Sequence, residues 1–339
     1  MDGIGKRERT GDEVNTSANH PSGLRMGAST MGTTTVVASR FSWRALSAAA
    51  REVVRLSKPR ITAMILVTGL SGMWLATRLH DATISWWRAL VVLGALAFVV
   101  SSANALNMYL ERDIDGLMAR TADRPLPTGR LPSLVALVFA FSWAAFSIPV
   151  LALSGGWLTA GLGLFSLVVY AFVYTPLKRI TTAALVIGAV PGAMPPLIGY
   201  VAVTQSIDAA GLALFGVLFF WQIPHFLAIA TFRREDYTRA GIKVTPELSG
   251  IHATRRQAIV HAALLLVVSL SLVPLGVSGW LYAVSAVVLG GVFLASAVGA
   301  PALTRRLEEE EAAVAWSRVL FFRSLIYIPA LLAALMLSV

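Results

Sequence analysis

Long uncharged apolar runs alternate along this chain with short stretches that hold almost all of its charge. Nine of the runs are long enough, at 1.5 Å of helix per residue, to cross a hydrocarbon core of about 30 Å. They predict helices over residues 61–78, 88–110, 131–152, 157–175, 182–204, 209–231, 257–275, 279–300 and 318–338. Ser154, Gly155 and Gly156 part the third run from the fourth, and the tract from Pro274 to Gly279 parts the seventh from the eighth. Pro191, Pro195 and Pro196 interrupt the fifth, where they are expected to leave backbone groups unpaired and facing a cavity. The fold class expected is an all-α membrane protein of nine transmembrane helices.

Composition agrees. Of 339 residues 56% are hydrophobic and 14% charged, and the mean hydropathy of +0.71 is more than a soluble surface tolerates. Cysteine is absent, which removes disulfide and thiolate chemistry. Residues 1–57 are polar, rich in Ser, Thr and Gly and mixed in charge, so they read as a disordered cytosolic tail ahead of a polytopic domain at 58–339. A transit peptide over residues 24–56 is the rival reading, against which stand Asp2, Glu8, Asp12, Glu13 and Glu52.

The net charge of +10 first suggests nucleic acid, and its distribution removes that suggestion. With a cytosolic N-terminus, 26 of the 28 Lys and Arg fall on the cytosolic side, leaving only Arg78 and Arg88 outside. Basic residues spread over every inner loop are what orientation and anionic lipid demand, so the partner is a lipid bilayer and not nucleic acid. A weak repeat accompanies this pattern: the charged loop after the second span has a counterpart after the sixth, at residues 232–243, and the two are expected to face each other.

The chemistry concentrates at residues 104–130, NALNMYLERDIDGLMARTADRPLPTGR. On a helix, Asn107, Glu111 and Asp115 follow one another at i, i+4 and i+8, each roughly 40° from the one before on one face, whereas Asp113 lies about 240° from Asn107. The bland reading is a solvated helix end paired with its own arginines. Against it stands the cost of carboxylates at a membrane boundary unless they are paired or bound to a cation. Oxygen ligands with no Cys and no clustered His select a hard cation, Mg2+, which takes one or two carboxylates plus substrate phosphates. Asp236, with Glu235 beside it, is placed to complete that shell from the second loop. Lys58, Arg60, Arg112, Arg120, Arg124, Lys178, Arg179, Arg233 and Lys243 offer a positive rim for a diphosphate, although each serves equally well as a topology signal.

At these residues the chain resembles a family. The run from Asn107 to Asp115 is similar to the first acidic motif, Asn-Asp-x-x-Asp-x-x-x-Asp, of the UbiA-type intramembrane prenyltransferases. The longer tract ERDID..M.RT..RPL, with YTPLKR at 174–179, PGAMPP at 191–196 and WQIPHF at 221–226, resembles the branch that farnesylates protohaem IX. Met108 and Glu111 replace two Asp of the general motif. The second motif, usually Asp-x-x-x-Asp, keeps Asp236 and has Ala240 at its last position, which leaves the number of Mg2+ ions open.

The resemblance implies nine helices around a cavity open to lipid, under a cytosolic cap. It implies that Mg2+ held by Asn107, Glu111, Asp115 and Asp236 binds farnesyl diphosphate, with cations of the rim on the remaining oxygens. Ionisation of the C1–O bond then gives an allylic cation, which a vinyl group of haem B attacks, and water completes the haem O side chain. Tyr109, Trp221, Phe226 and Tyr237 are candidates to shield that cation. His225 is a candidate iron ligand or haem-propionate partner, its bland alternative being a hydrogen bond to a neighbouring helix. A downstream haem A synthase is the partner implied, and a bacterial plasma membrane the location, with the mitochondrial inner membrane as alternative. A related enzyme acting on a quinone precursor such as 4-hydroxybenzoate is the second reading. A transporter or channel is the third, and it would place charge at the bilayer midplane.

Overall fold

The computed structural model describes residues 43–338, and among these nine helices are long and apolar enough to cross a membrane. A helix α1 (Trp43–Leu56) precedes them. The nine are α2 (Pro59–Leu79), α3 (Trp86–Leu110), α4 (Ser133–Gly155), α5 (Trp157–Leu177), α6 (Ala184–Thr204), α7 (Ala209–Phe232), α8 (Gly250–Ser271), α9 (Trp280–Val298) and α10 (Glu310–Ser338).

The count matches the apolar runs, and some boundaries move outward. α8 begins at Gly250 rather than 257 and α10 at Glu310 rather than 318, carrying Arg255, Arg256 and Arg318 on helix. A helix stops where its backbone bonds are capped, not where its apolar run ends, and Glu310 and Glu311 in the first turn of α10 suit the positive end of its dipole. The expected tail is corrected in part. Residues 1–42 of it lie outside the described residues, whereas 43–56 form α1 instead of disordered chain. Val53 and Leu56 sit one turn apart and pack on the bundle, Leu56 with no exposure at all, and that buried edge stabilises a helix of 14 residues, too short to be more than marginal alone.

The helices pack in two rings. α2, α3, α4, α5 and α6 follow one another and close through α6 on α2; α7, α8, α9 and α10 close through α10 on α7; α6 and α7 join the rings. At its centre α6 is the most buried span, and Pro191, Pro195 and Pro196 are themselves buried. The Pro191 carbonyl, freed by Pro195, accepts from Ser166 Oγ at 3.3 Å, and Gln222 Nε2 donates to the Ala189 carbonyl at 3.4 Å. The bend lets α2 and α6 touch backbone to backbone. A Cβ on Gly72 would lie 1.9 Å from the Pro196 oxygen, and one on Gly199 1.9 Å from the Gly69 oxygen. Without lipid-excluding water to drive association, such close backbone contact is how membrane helices gain dispersion energy.

The end of the bundle at Glu111 carries the cap. Ile114 and Met118 of the first loop pack with Ala240, Ile242 and Val244 of the second, and Tyr237 covers them, so the two charged loops do meet. The Lys243 N–H also donates to the Lys178 carbonyl at 2.8 Å. The far end is fastened differently. His80 Nε2 lies 2.7 Å from Tyr200 Oη and 3.1 Å from Asp208 Oδ2, the Tyr200 hydroxyl donates to the same Oδ2 at 2.7 Å, and Asp208 Oδ1 caps α7 at the Gly211 N–H. Arg88 donates to the Ser154 carbonyl at 2.5 Å and Gln205 to that of Gly155 at 2.6 Å, beside Gly156, whose φ of 90° turns the chain from α4 into α5. Trp86, Trp87, Trp157 and Trp280, at the starts of α3, α5 and α9, are all exposed at this end, as an interfacial aromatic belt is.

Candidate active site

The helix expected to carry Asn107, Glu111 and Asp115 on one face is not continuous. α3 stops at Leu110, Glu111 caps it, and a 3-10 turn follows at Asp115–Leu117. Asp113, Asp115 and Gly116 are weak helix formers in close succession. The Glu111 carbonyl accepts from the N–H groups of Ile114 and Asp115, and Thr121 Oγ1 tightens the turn by donating to the Asp115 carbonyl at 2.7 Å. Asn107 and Glu111 stay one turn apart and bonded, Nδ2 to Oε2 at 2.8 Å, while Asp115 swings to Arg124, whose Nη1 lies 2.7 and 2.6 Å from its two oxygens.

All three side chains are buried. Lys58 Nζ donates to Asn107 Oδ1 at 3.2 Å, and the Lys178 ammonium forms a salt bridge with Glu111 Oε1. Three cations therefore crowd two buried carboxylates. Burial, with repulsion from Arg124 and Lys178, pulls the Lys58 ammonium down to about 7 from its ordinary 10.5. Burial also pushes the Asp115 carboxyl up, against the pull of Arg124.

The other predicted cations divide. Arg120 is exposed and near enough for its charge to act on Lys58. Arg179 is committed to Asp113 through two bonds of 2.8 and 2.7 Å, which hold that carboxyl below its usual range, and so it ties α5 to the first loop. Arg112 turns back over the Tyr109 ring, 4.5 Å from its centre, and donates to the Tyr109 carbonyl. Arg60 is exposed on α2. Asp236, on a short helix Arg234–Arg239, is in ion-pair range of Arg233 at 3.5 Å and Arg239 at 3.7 Å.

A cavity opens beside Glu111, between α5, α6, α7 and the second loop. Tyr174, Lys178, Gly188, Phe226, Tyr237 and Lys243 are on its wall. Two of the predicted aromatics, Phe226 and Tyr237, thus face it. Trp221 is bound instead to the Ser324 carbonyl at 2.8 Å. His225 is stacked between Trp221 and Phe321, both at 5.0 Å, and its Nδ1 is 2.7 Å from Ser324 Oγ, the interhelical bond of the bland alternative.

Sequence reasoning missed three participants. Thr175 Oγ1 accepts from Asn107 Nδ2 at 3.2 Å, and follows a π-helical stretch of α5, Val169–Tyr174; the YTPLKR string was its signal. Thr62 and Asn104 bind the backbone before Lys58, and nothing in their spacing marks them.

Among the described residues no three acidic or histidine side chains form a ready metal cage. The donors offered are nonetheless all oxygen, and Glu111 Oε1 is buried without an aligned hydrogen-bond donor. Such a set fits Mg2+, which keeps waters and shares its shell with phosphate.

Residues 65–326 match the model of the UbiA prenyltransferase family. The chain is 46% identical to a protoheme IX farnesyltransferase of Anaeromyxobacter dehalogenans over 288 residues, covering 85% of this chain and 94% of that one. With a protoheme IX farnesyltransferase of Sorangium cellulosum identity is 47%, over 81% and 100%. A solved structure described for digeranylgeranylglyceryl phosphate synthase superposes with a TM-score of 0.71 at 16% identity, over 85% of this chain and 99% of that one. A UbiA homologue of Archaeoglobus fulgidus bound to GPP and Mg2+ does so at 0.56 and 18% identity, over 84% and 99%. Fold, motif order and relatives agree, and the chain belongs to the UbiA prenyltransferase family.

Proposed function

We propose that this prenyltransferase moves the farnesyl group of farnesyl diphosphate onto a vinyl group of haem B, giving haem O and diphosphate on the way to haem A. The observation that carries the proposal is the surplus of cations, Lys58, Lys178 and Arg124, around buried Glu111 and Asp115, with Lys178 also on the wall of a cavity that carries aromatic side chains. An anion of high charge relieves their mutual repulsion. The names carried by the bacterial relatives support haem as the acceptor and a bacterial plasma membrane as the location. The positive-inside pattern supports a cytosolic cap and N-terminus.

Mg2+ held by Asn107, Glu111, Asp115 and Asp236 would offset the charge that grows on the diphosphate as it leaves. Lys58 and Lys178 each have further N–H donors for diphosphate oxygens, and Arg124, bound to Asp115 through Nη1, has Nη2 and Nε to spare. These positions stabilise the departing group as the C1–O bond breaks. Tyr174, Phe226 and Tyr237 wall the cavity where the allylic cation forms, excluding water and offering ring faces. The vinyl carbon bonds to C1, and the new cation takes up water and releases a proton, leaving a hydroxyethylfarnesyl side chain.

The test is turnover of purified protein in lipid with farnesyl diphosphate and haem B, with and without Mg2+, read by mass spectrometry. A farnesylated, hydrated haem that disappears on chelation is expected. Prenylated 4-hydroxybenzoate and no haem product would move the proposal to the quinone precursor.

A further inference from the structure

Lys58 reaches Asn107 from an unusual backbone. Its φ of 48° and ψ of 66° place it in the left-handed region, one of three non-glycine residues with positive φ among those described. A long side chain is rarely found there unless its surroundings impose it.

The imposition is visible one residue earlier. The Ser57 carbonyl accepts from Thr62 Oγ1 of α2 at 2.7 Å and from Asn104 Nδ2 of α3 at 3.3 Å. Both donors are buried. Behind this point the Ser57 and Lys58 N–H groups close the last turn of α1 on the carbonyls of Val54 and Arg55, and ahead of it the Lys58 carbonyl accepts the first N–H groups of α2, from Ile61 and Thr62. α1 is itself held to the first loop: Glu52 pairs with Arg130 at 3.3 Å and Arg55 with Asp123 at 3.7 Å, over the buried Leu56. Three helices thus fix the two peptides on either side of Lys58. Asn104 lies one turn before Asn107 on α3, so the helix that presents the candidate ligand also sets the cation aimed at it.

We infer that Thr62 and Asn104 are positioning residues, a clamp on the Ser57 carbonyl that keeps Lys58 left-handed and directs its ammonium at the substrate diphosphate. The inference rests on Lys58 being a diphosphate ligand, as the proposed function has it. Neither residue touches substrate. Without the clamp the junction relaxes toward the extended region that a residue before proline prefers, and the ammonium leaves Asn107.

The full chain in lipid is assayed for KM and kcat with farnesyl diphosphate, for binding of Mg2+–pyrophosphate by calorimetry, and for thermal stability. Thr62→Val and Asn104→Leu are expected to lower kcat/KM and weaken pyrophosphate about five- to tenfold, with melting temperature little changed. Thr62→Ser, which keeps the hydroxyl, should restore the native values. In a Lys58→Met background the clamp variants should add less than about twofold, because the group they aim is gone. Equal losses with and without Lys58, or failure of Thr62→Ser, overturn the clamp and leave the diphosphate site standing. Should Lys58→Met match the native protein in binding and turnover, the clamp falls together with the diphosphate role of Lys58. If Asn104→Leu does not fold, the Thr62 pair alone decides.

Discussion

At the far end of the bundle, Asp208 accepts from Tyr200 and from the first turn of α7, Arg88 donates to the end of α4, and Gln205 bridges that end to α6. Each polar group there closes a helix terminus or ties two helices. At the cap end, Lys58, Lys178 and Arg124 surround Glu111 and Asp115 in a buried space that would be cheaper to fill with apolar side chains. Matched partners fasten; unmatched charge, held by the fold against its own repulsion, is what the proposed diphosphate site would use. The contrast separates function from topology more sharply than charge counts do, since both ends carry Arg and Asp.

The largest effect should come from Glu111→Gln. Losing the carboxylate that joins Asn107 to Lys178 is expected to lower turnover by about 10²–10³, with helix content intact. Turnover within a few fold of native would sink the assignment of this end as the active site. Next comes Gly72→Ala, which carries no charge. Its new Cβ meets backbone, the Pro196 oxygen, so a loss of about 1–3 kcal/mol in stability is expected, read as a lowered melting temperature in lipid or detergent. An unchanged melting temperature would mean that the α2–α6 crossing is slack.

The smallest effect belongs to the far end. Despite partial burial, the Asp208 carboxyl is held below its ordinary 3.8 by the Gly211 N–H, the Tyr200 hydroxyl and His80. A depressed carboxyl contributes stability that is present above its unfolded value and lost as pH falls through the folded one, so this fastening should weaken below about pH 4. Asp208→Asn should cost about 1 kcal/mol or less, given the exposure of the site, flatten that acid limb of the stability curve and leave turnover alone. A turnover loss as large as that of Glu111→Gln would erase the distinction between the ends.

The spans and the Asn107–Glu111 pair were legible because apolar length and helical spacing act locally. Asp115 was misplaced because a helix end depends on capping: a threonine six residues away, Thr121, holds the turn. The side chains that bind the Pro191 and Ala189 carbonyls, Ser166 and Gln222, were not legible because they lie on other helices. α1 was hidden because so short a helix is stabilised by what Leu56 and Val53 touch, and those contacts lie elsewhere in the chain. Arg179 and Arg112 could not be told from Lys178 by sequence, since only the fold decides which cation turns toward Glu111. Thr62 and Asn104 left no trace, as their partner is a main-chain carbonyl.

The one-sided placement of charge also bears on cellular energetics. The candidate diphosphate ligands all sit at the cap end, while α2, α4, α6 and α7 are tied to one another at the other. In the proposed reaction diphosphate therefore enters and leaves by the same face, and no charge passes through the electric field of the membrane. Moving one charge across 100 mV is worth about 2.3 kcal/mol, and a catalyst with a single mouth is exempt from that term. Its rate should be the same in energised and de-energised vesicles.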